Sequence, residues 1–138
     1  MKLILIMLLP IAIHAKIFPV DYPIEWHRCY DGDTCTISLG GLPDVFGKKI
    51  GLRVWGIDTP EIRGKCAKEK RLAKKAQRFV WKRVKNGKAT IHNIGRGKYF
   101  RIVGRVKVGD KWLDDLLFDA GLGVRYYGKK KIKDWCVK

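Results

Sequence analysis

Residues 26–30 and 34–39 carry apolar side chains in short, strand-like runs, with Asp31-Gly32 standing between them. Apolar and polar positions that alternate with a period of two mark half-buried strands. Asp-Gly between two such runs predicts a hairpin, because glycine tolerates φ > 0. Gly40-Gly41-Leu42-Pro43 breaks the pattern, and residues 49–57, rich in Val, Ile and Trp, predict a third strand. Across 67–85 the period changes. Leu72, Ala76, Phe79, Val80 and Val84 recur at helical spacing until Asn86-Gly87 ends the run. Residues 88–94 and 101–108 read as a fourth and a fifth strand about the Gly95-Arg96-Gly97 turn. Residues 112–120 predict a second helix, with Leu113, Leu116, Leu117 and Ala120 inward and Gly121 as its stop.

Three strands, a helix, two strands and a helix is the order of a five-stranded Greek-key barrel of the oligonucleotide-binding (OB) type, an α+β chain built on a β-barrel. A split α+β sheet satisfies the same order. No repeat or long linker divides the chain, and 138 residues with 46% hydrophobic content suit one folded domain. The charge narrows the partners. With 30 Lys and Arg against 13 Asp and Glu, the formal net charge is +17, which favours polyanions: nucleic acid first, an anionic membrane second. Ten of the basic residues lie between Lys65 and Lys85, with Glu69 as the one acidic residue among them. Most of these residues read as a solvated helix face, and some are expected to track a nucleic-acid backbone. A membrane role conflicts with the need to bury its apolar stripe in the barrel.

Residues 1–15 read as a secretory signal: Lys2, then an apolar core of about 11 residues, then Ala15. That core is short of the ~20 residues a membrane span needs, so a cleaved signal is expected rather than a retained anchor. The working domain is then 16–138, periplasmic or secreted. Export changes how Cys29, Cys35, Cys66 and Cys136 read, because an even set in an oxidising compartment suits disulfides. Cys29 and Cys35 flank the Asp31-Gly32 turn symmetrically and are expected to pair, which leaves Cys66 with Cys136. In the chain-entropy picture the long loop contributes about 4 kcal/mol and the short one about 2 kcal/mol.

Against this basic background a few residues stand out as chemistry. Asp31-Gly32-Asp33-Thr34 opens the second strand, Arg53 lies in the third, Asp58-Thr59-Pro60-Glu61 follows it, and Lys98-Tyr99-Phe100-Arg101 precedes the fifth. Each has a plain explanation: a turn, a helix start with Thr as cap and Pro after it, or a solvated arginine. Together they are more telling. Carboxylates are hard oxygen ligands for Ca²⁺ or Mg²⁺, and guanidinium forks match phosphate oxygens.

These segments, with Leu52-Arg53-Val54-Trp55-Gly56-Ile57 running into Asp58, resemble the staphylococcal nuclease (thermonuclease) family, and the likeness continues in order through residue 127. The resemblance implies a five-stranded OB barrel with helices that acts as a monomer and hydrolyses DNA and RNA with Ca²⁺, leaving 3′-phosphate ends. It implies Asp33, Asp58 and the Thr59 carbonyl as metal ligands, and Glu61 as the residue that orients or deprotonates the attacking water. Arg53 and Arg101 would hold the scissile phosphate. Lys98 and Tyr99 would touch neighbouring nucleotides, and Tyr127, or Tyr126 if the register shifts by one, would stack on a base.

The chain departs from the family pattern in three places, the first being the short, basic loop 62–68 after Glu61, to which the family's substrate contacts do not transfer. Phe100 stands where a glycine commonly precedes the second arginine, and the third helix is absent or reduced to a tail that Cys136 would anchor. The rival reading is a non-catalytic single-stranded nucleic-acid binder that uses Trp and Tyr stacking plus charge. It has no use for the carboxylates, which weaken polyanion binding unless a cation sits between them.

Overall fold

The computed structural model describes residues 21–131 and 133–137; the expected signal at 1–15 lies outside them. In chain order the elements are β1 (Asp21–Cys29), β2 (Thr34–Leu39), α1 (Asp44–Gly47), β3 (Ile50–Val54), β4 (Gly56–Asp58), α2 (Ala67–Val84), β5 (Ala89–Arg96), β6 (Ile102–Val108), β7 (Lys111–Trp112), α3 (Leu113–Asp119) and β8 (Val124–Tyr126). The main sheet runs β3-β2-β1-β5-β6-β7, and a further parallel pairing of β3 with β6 closes it. The five longer strands therefore form the expected OB-type barrel, and the split sheet is set aside. A separate two-stranded sheet joins β4 to β8.

Alternation does most of the work inside the barrel. β2 buries Cys35, Ile37 and Leu39 in turn, and β3 buries Leu52 and Val54. α2 closes one side through Ala73, Ala76, Val80 and Val84, spaced three, four and four apart, as one face of a 3.6-residue helix requires. The expected stripe shifts slightly. Leu72 and Phe79 are only half-buried, and the small Ala73 takes a place at the contact. Leu113 and Leu117 of α3 are fully buried, while Ala120 faces solvent.

The closeness of α2 explains Gly32. Its φ is not positive, so it is not the left-handed turn residue that the Asp-Gly pattern predicts. A Cβ there would lie 2.8 Å from Thr59 Cγ2 and 2.9 Å from Ala76 Cβ. The glycine is needed because helix and hairpin touch. The hairpin is also longer than a two-residue turn: Cys29 pairs with Cys35, and the Tyr30 amide donates to the Thr34 carbonyl at 2.8 Å.

The expected third strand, 49–57, breaks in two. Gly56 has φ +86, a left-handed conformation that ordinary residues avoid, and it turns the chain out of the barrel into β4. There Asp58 pairs with Val124 across the small sheet. α3 is tied to this region by charge: Arg105 and Arg125 each contact both Asp114 and Asp115, at 2.6–3.0 Å. Neither β8 nor this network has a mark in the local sequence pattern.

Because Gly32 sits against α2 with no spare volume, Gly32→Ala is expected to destabilise the fold by about 1–3 kcal/mol through overpacking. A lowered urea midpoint with unchanged slope checks it. An unchanged midpoint would mean that α2 and the hairpin are free to separate.

Candidate functional site

Strand register brings distant residues to one rim. Thr34 of β2 pairs with Arg53 of β3, so Asp33 stands just beyond the end of β2 beside that arginine. Leu52 pairs in parallel with Ile102, which places Arg101 at the mouth of β6 near Arg53. The Val54 amide donates to the Asp33 carbonyl at 2.8 Å and locks hairpin and strand together. β4 then carries Asp58 back toward the same rim, and Thr59-Pro60-Glu61 follows in an irregular segment. That segment does not start a helix, since α2 begins at Ala67.

The side chains form one charged cluster. Asp33 is 2% exposed and Asp58 is 3% exposed. Both contact the Arg53 guanidinium, Asp58 at 3.2 Å. Arg53 also donates to the Ile57 carbonyl at 3.2 Å. Asp33 Oδ2 accepts from the Thr59 amide at 2.8 Å and the Thr59 hydroxyl at 3.0 Å, while Oδ1 accepts from the Thr34 hydroxyl at 3.0 Å. Lys131, from the C-terminal tail, reaches Asp58 Oδ1 at 2.9 Å and Glu61 Oε1 at 2.6 Å. Burial works against this ammonium, but its bonds to Glu61 and Asp58 outweigh that and raise its pKa above the usual lysine value.

Asp33, Arg53, Glu61, Arg101, Tyr126 and Lys131 line one cleft of about 310 Å³. Asp58 and Thr59 line an adjoining cleft of about 400 Å³ that shares Glu61 and Lys131. A larger cleft of about 530 Å³ opens around His27 and Ser38, toward the far end of β2, and no arginine lines it. The chemistry is concentrated in the first two.

The remaining predicted residues fall around this rim. Tyr126 lies under Arg53, whose Cζ is 5.8 Å from the ring centroid. Tyr127 is exposed and packs toward Trp55 at 6.0 Å between centroids. Of the two tyrosines, the cleft is lined by Tyr126. Lys98 and Tyr99 stand on the exposed β5–β6 loop; the Lys98 carbonyl accepts from Arg101 Nε at 3.4 Å. Tyr99 and Phe100 have φ +56 and +57, so the phenylalanine at the usual glycine position holds a glycine-like backbone.

Asp31 has a different task. Its Oδ1 accepts from the Asp33 amide at 3.1 Å and the Thr34 amide at 2.8 Å, an Asx arrangement that shapes the hairpin tip. Burial pushes its carboxyl up to about 6, against the pull of the Thr34 amide and Arg53.

Two residues of the site carry no signal that spacing could reveal. Lys131 is one of three consecutive lysines, and only the nearby Cys136 hints that this stretch is anchored. Glu69 reads as a helix-start residue, yet its carboxylate accepts from the Lys65 amide at 2.8 Å and the Glu61 amide at 3.4 Å, bracing the Glu61 loop. Cys66 caps α2, its Sγ accepting from the Glu69 amide. Cys66 and Cys136 are paired, as are Cys29 and Cys35. Glu69 also lies near the Cys66 and Cys136 sulfurs, but their pairing leaves no thiolates to bind an ion.

The donor set suits a divalent ion. The two almost fully buried carboxylates are hard donors, and their present charge partners are Arg53 and Lys131. A search of curated proteins finds no match to the chain. Residues 51–135, more than half of it, match the family model described as staphylococcal nuclease homologue. The matched stretch contains Arg53, Asp58, Glu61, Arg101 and Lys131; Asp33 lies outside it and joins through the β2–β3 register.

The raised Asp31 carboxyl sets a pH dependence. Between about pH 4 and 6 the folded state holds this proton and the unfolded state does not. The group's contribution is therefore full below the unfolded value of 3.8 and is lost as pH rises through about 6. Asn keeps the oxygen acceptor and cannot titrate. In chelator, the stability of wild type relative to Asp31→Asn should fall as pH rises from 4 to 6, read from urea midpoints. A difference that stays flat or grows would contradict the assignment.

Proposed function

The chain belongs to the staphylococcal nuclease homologue family, and from that premise we propose that it is an exported, Ca²⁺-dependent, sugar-nonspecific nuclease. In this reading it hydrolyses DNA and RNA to 3′-phosphate products and acts as a monomer. The observation that carries the reading is the shared rim, where three carboxylates meet two arginines on a strongly basic protein. Export is supported by the reading of residues 1–15 and the two cysteine pairs. No helix among the described residues is long and apolar enough to cross a membrane.

Asp33, Asp58 and the Thr59 carbonyl would hold the ion. When bound, it supplies positive charge to a phosphate oxygen and draws the substrate into place. Attack on a phosphodiester gathers negative charge on the non-bridging oxygens, and preorganised guanidiniums stabilise that charge better than water does. Arg53, which a bound ion would release from neutralising Asp33 and Asp58, and Arg101 across the cleft would provide two such forks. Glu61 orients the water and accepts its proton. The bond from phosphorus to the 5′ oxygen breaks; that oxygen takes a proton from solvent and leaves as a 5′ hydroxyl, and the phosphate stays on the 3′ side. Tyr126 and Tyr127 offer stacking faces beside the rim, and Lys98 and Tyr99 contact neighbouring nucleotides.

Labelled single- and double-stranded DNA and RNA, incubated with Ca²⁺ or with chelator, test this directly. Cleavage with Ca²⁺ and 3′-phosphate ends is expected. Binding that ignores chelator, without cleavage, would leave the non-catalytic binder.

Arg53→Lys keeps the charge and loses the fork, so its kcat/KM is expected to fall by about 10²–10³. Near wild-type turnover would remove Arg53 from its role. Binding should also weaken with salt by ~0.7–0.9 log units per neutralised phosphate for each tenfold rise. A flat salt profile would argue against backbone tracking.

A further inference from the structure

Lys131 is a contact of the site that the reaction above leaves without a task. Its ammonium bridges Asp58 and Glu61, at 2.9 and 2.6 Å. The Glu61 side chain is half exposed on an irregular segment, and among the described residues Lys131 is the one side chain its carboxylate contacts. An isolated surface pair of this kind orders little, because two long side chains lose rotamer freedom to hold it. The pair is worth more if one partner is fixed from elsewhere.

Lys131 is fixed from elsewhere. Just beyond it, Trp135 is buried and Cys136 is bonded to Cys66, the residue that caps α2. Lys68 of α2 donates to the Val137 carbonyl at 2.7 Å. Glu69, on the same helical turn, accepts from the Glu61 amide. The strap that carries Lys131 and the loop that carries Glu61 are thus fastened to one helix start.

We propose that Lys131 is a positioning residue of the nuclease site: the disulfide-tied C-terminal strap delivers its ammonium to aim the Glu61 carboxylate into the cleft and to balance Asp58 until a divalent ion arrives. The inference rests on the hydrolytic reading above. One contact then has two opposite effects. The ammonium shares Asp58 Oδ1 with any incoming ion and repels it, so it weakens metal binding. The same ammonium holds Glu61 where water must lose its proton, so it speeds turnover. A residue that merely supported the fold would not move these two readouts in opposite directions.

The test compares wild type, Lys131→Ala, and the Cys66→Ser/Cys136→Ser pair, in which serine keeps the helix cap. Metal affinity is read by Tb³⁺ luminescence with Ca²⁺ competition, kcat at saturating Ca²⁺ on a single-stranded DNA oligonucleotide, and folding by thermal melts. Lys131→Ala is expected to bind Ca²⁺ about tenfold tighter and to turn over about tenfold more slowly, with a melt that stays cooperative. The serine pair should shift both quantities in the same two directions. Metal affinity in Lys131→Ala that is unchanged or weaker, or an unchanged kcat, overturns the proposal. An active wild type with an indifferent Lys131→Ala overturns it alone. A wild type that binds Ca²⁺ and cleaves nothing overturns the hydrolytic reading and this proposal with it.

Discussion

Two carboxylates held almost out of water at the mouth of a barrel set the terms for everything around them. Asp33 and Asp58 are buried in contact with Arg53, and removing one partner of such a cluster leaves an uncompensated charge that costs several kcal/mol. A positive group must therefore always be present. Arg53 and Lys131 meet that need in the structure, and a divalent ion would meet it during the proposed reaction. In the proposed reaction, the exchange of one positive partner for another would link folding, metal binding and chemistry at this rim.

Keeping the carboxylates in place takes more of the chain than the site itself. The parallel pairing of β3 with β6 closes the barrel and brings the two arginines to one cleft. Gly56 turns β4 out of the barrel, and β8 receives it, so Asp58 is held by a small sheet of its own. The four-way contact of Arg105 and Arg125 with Asp114 and Asp115 fastens α3 to β6 and β8 behind that sheet. On the other side α2 presses on the hairpin tip so closely that only glycine fits at 32. The paired Cys66 and Cys136 bring the tail to the same helix start.

The legible part of this architecture is the part governed by local periodicity. Alternating residues mark the five barrel strands, and the stripe through Ala76, Val80 and Val84 marks α2, because burial of one face imposes a period on the chain. Where tertiary contacts override local preference, the pattern misleads. The run 49–57 looks like one strand because nothing apolar is missing from it, yet Trp55 is exposed and Gly56 turns the chain out of the barrel. Gly32 looks like a turn glycine although its reason is a helix distant in sequence. Asp33, Arg53, Asp58, Glu61 and Arg101 stand out as chemical types at unusual positions. Lys131 does not, because a lysine among lysines has no local mark and its partners are set by an anchor five residues away.

The chemistry proposed for this rim requires Asp33 and Asp58 to act together on one divalent ion. Calorimetric titration of Ca²⁺ into the intact protein, beside Asp33→Asn and Asp58→Asn, tests that claim without reference to turnover. One saturable ion per chain, lost in both variants while their melts stay cooperative, is the predicted result. No saturable binding, or binding that survives both substitutions, would contradict it.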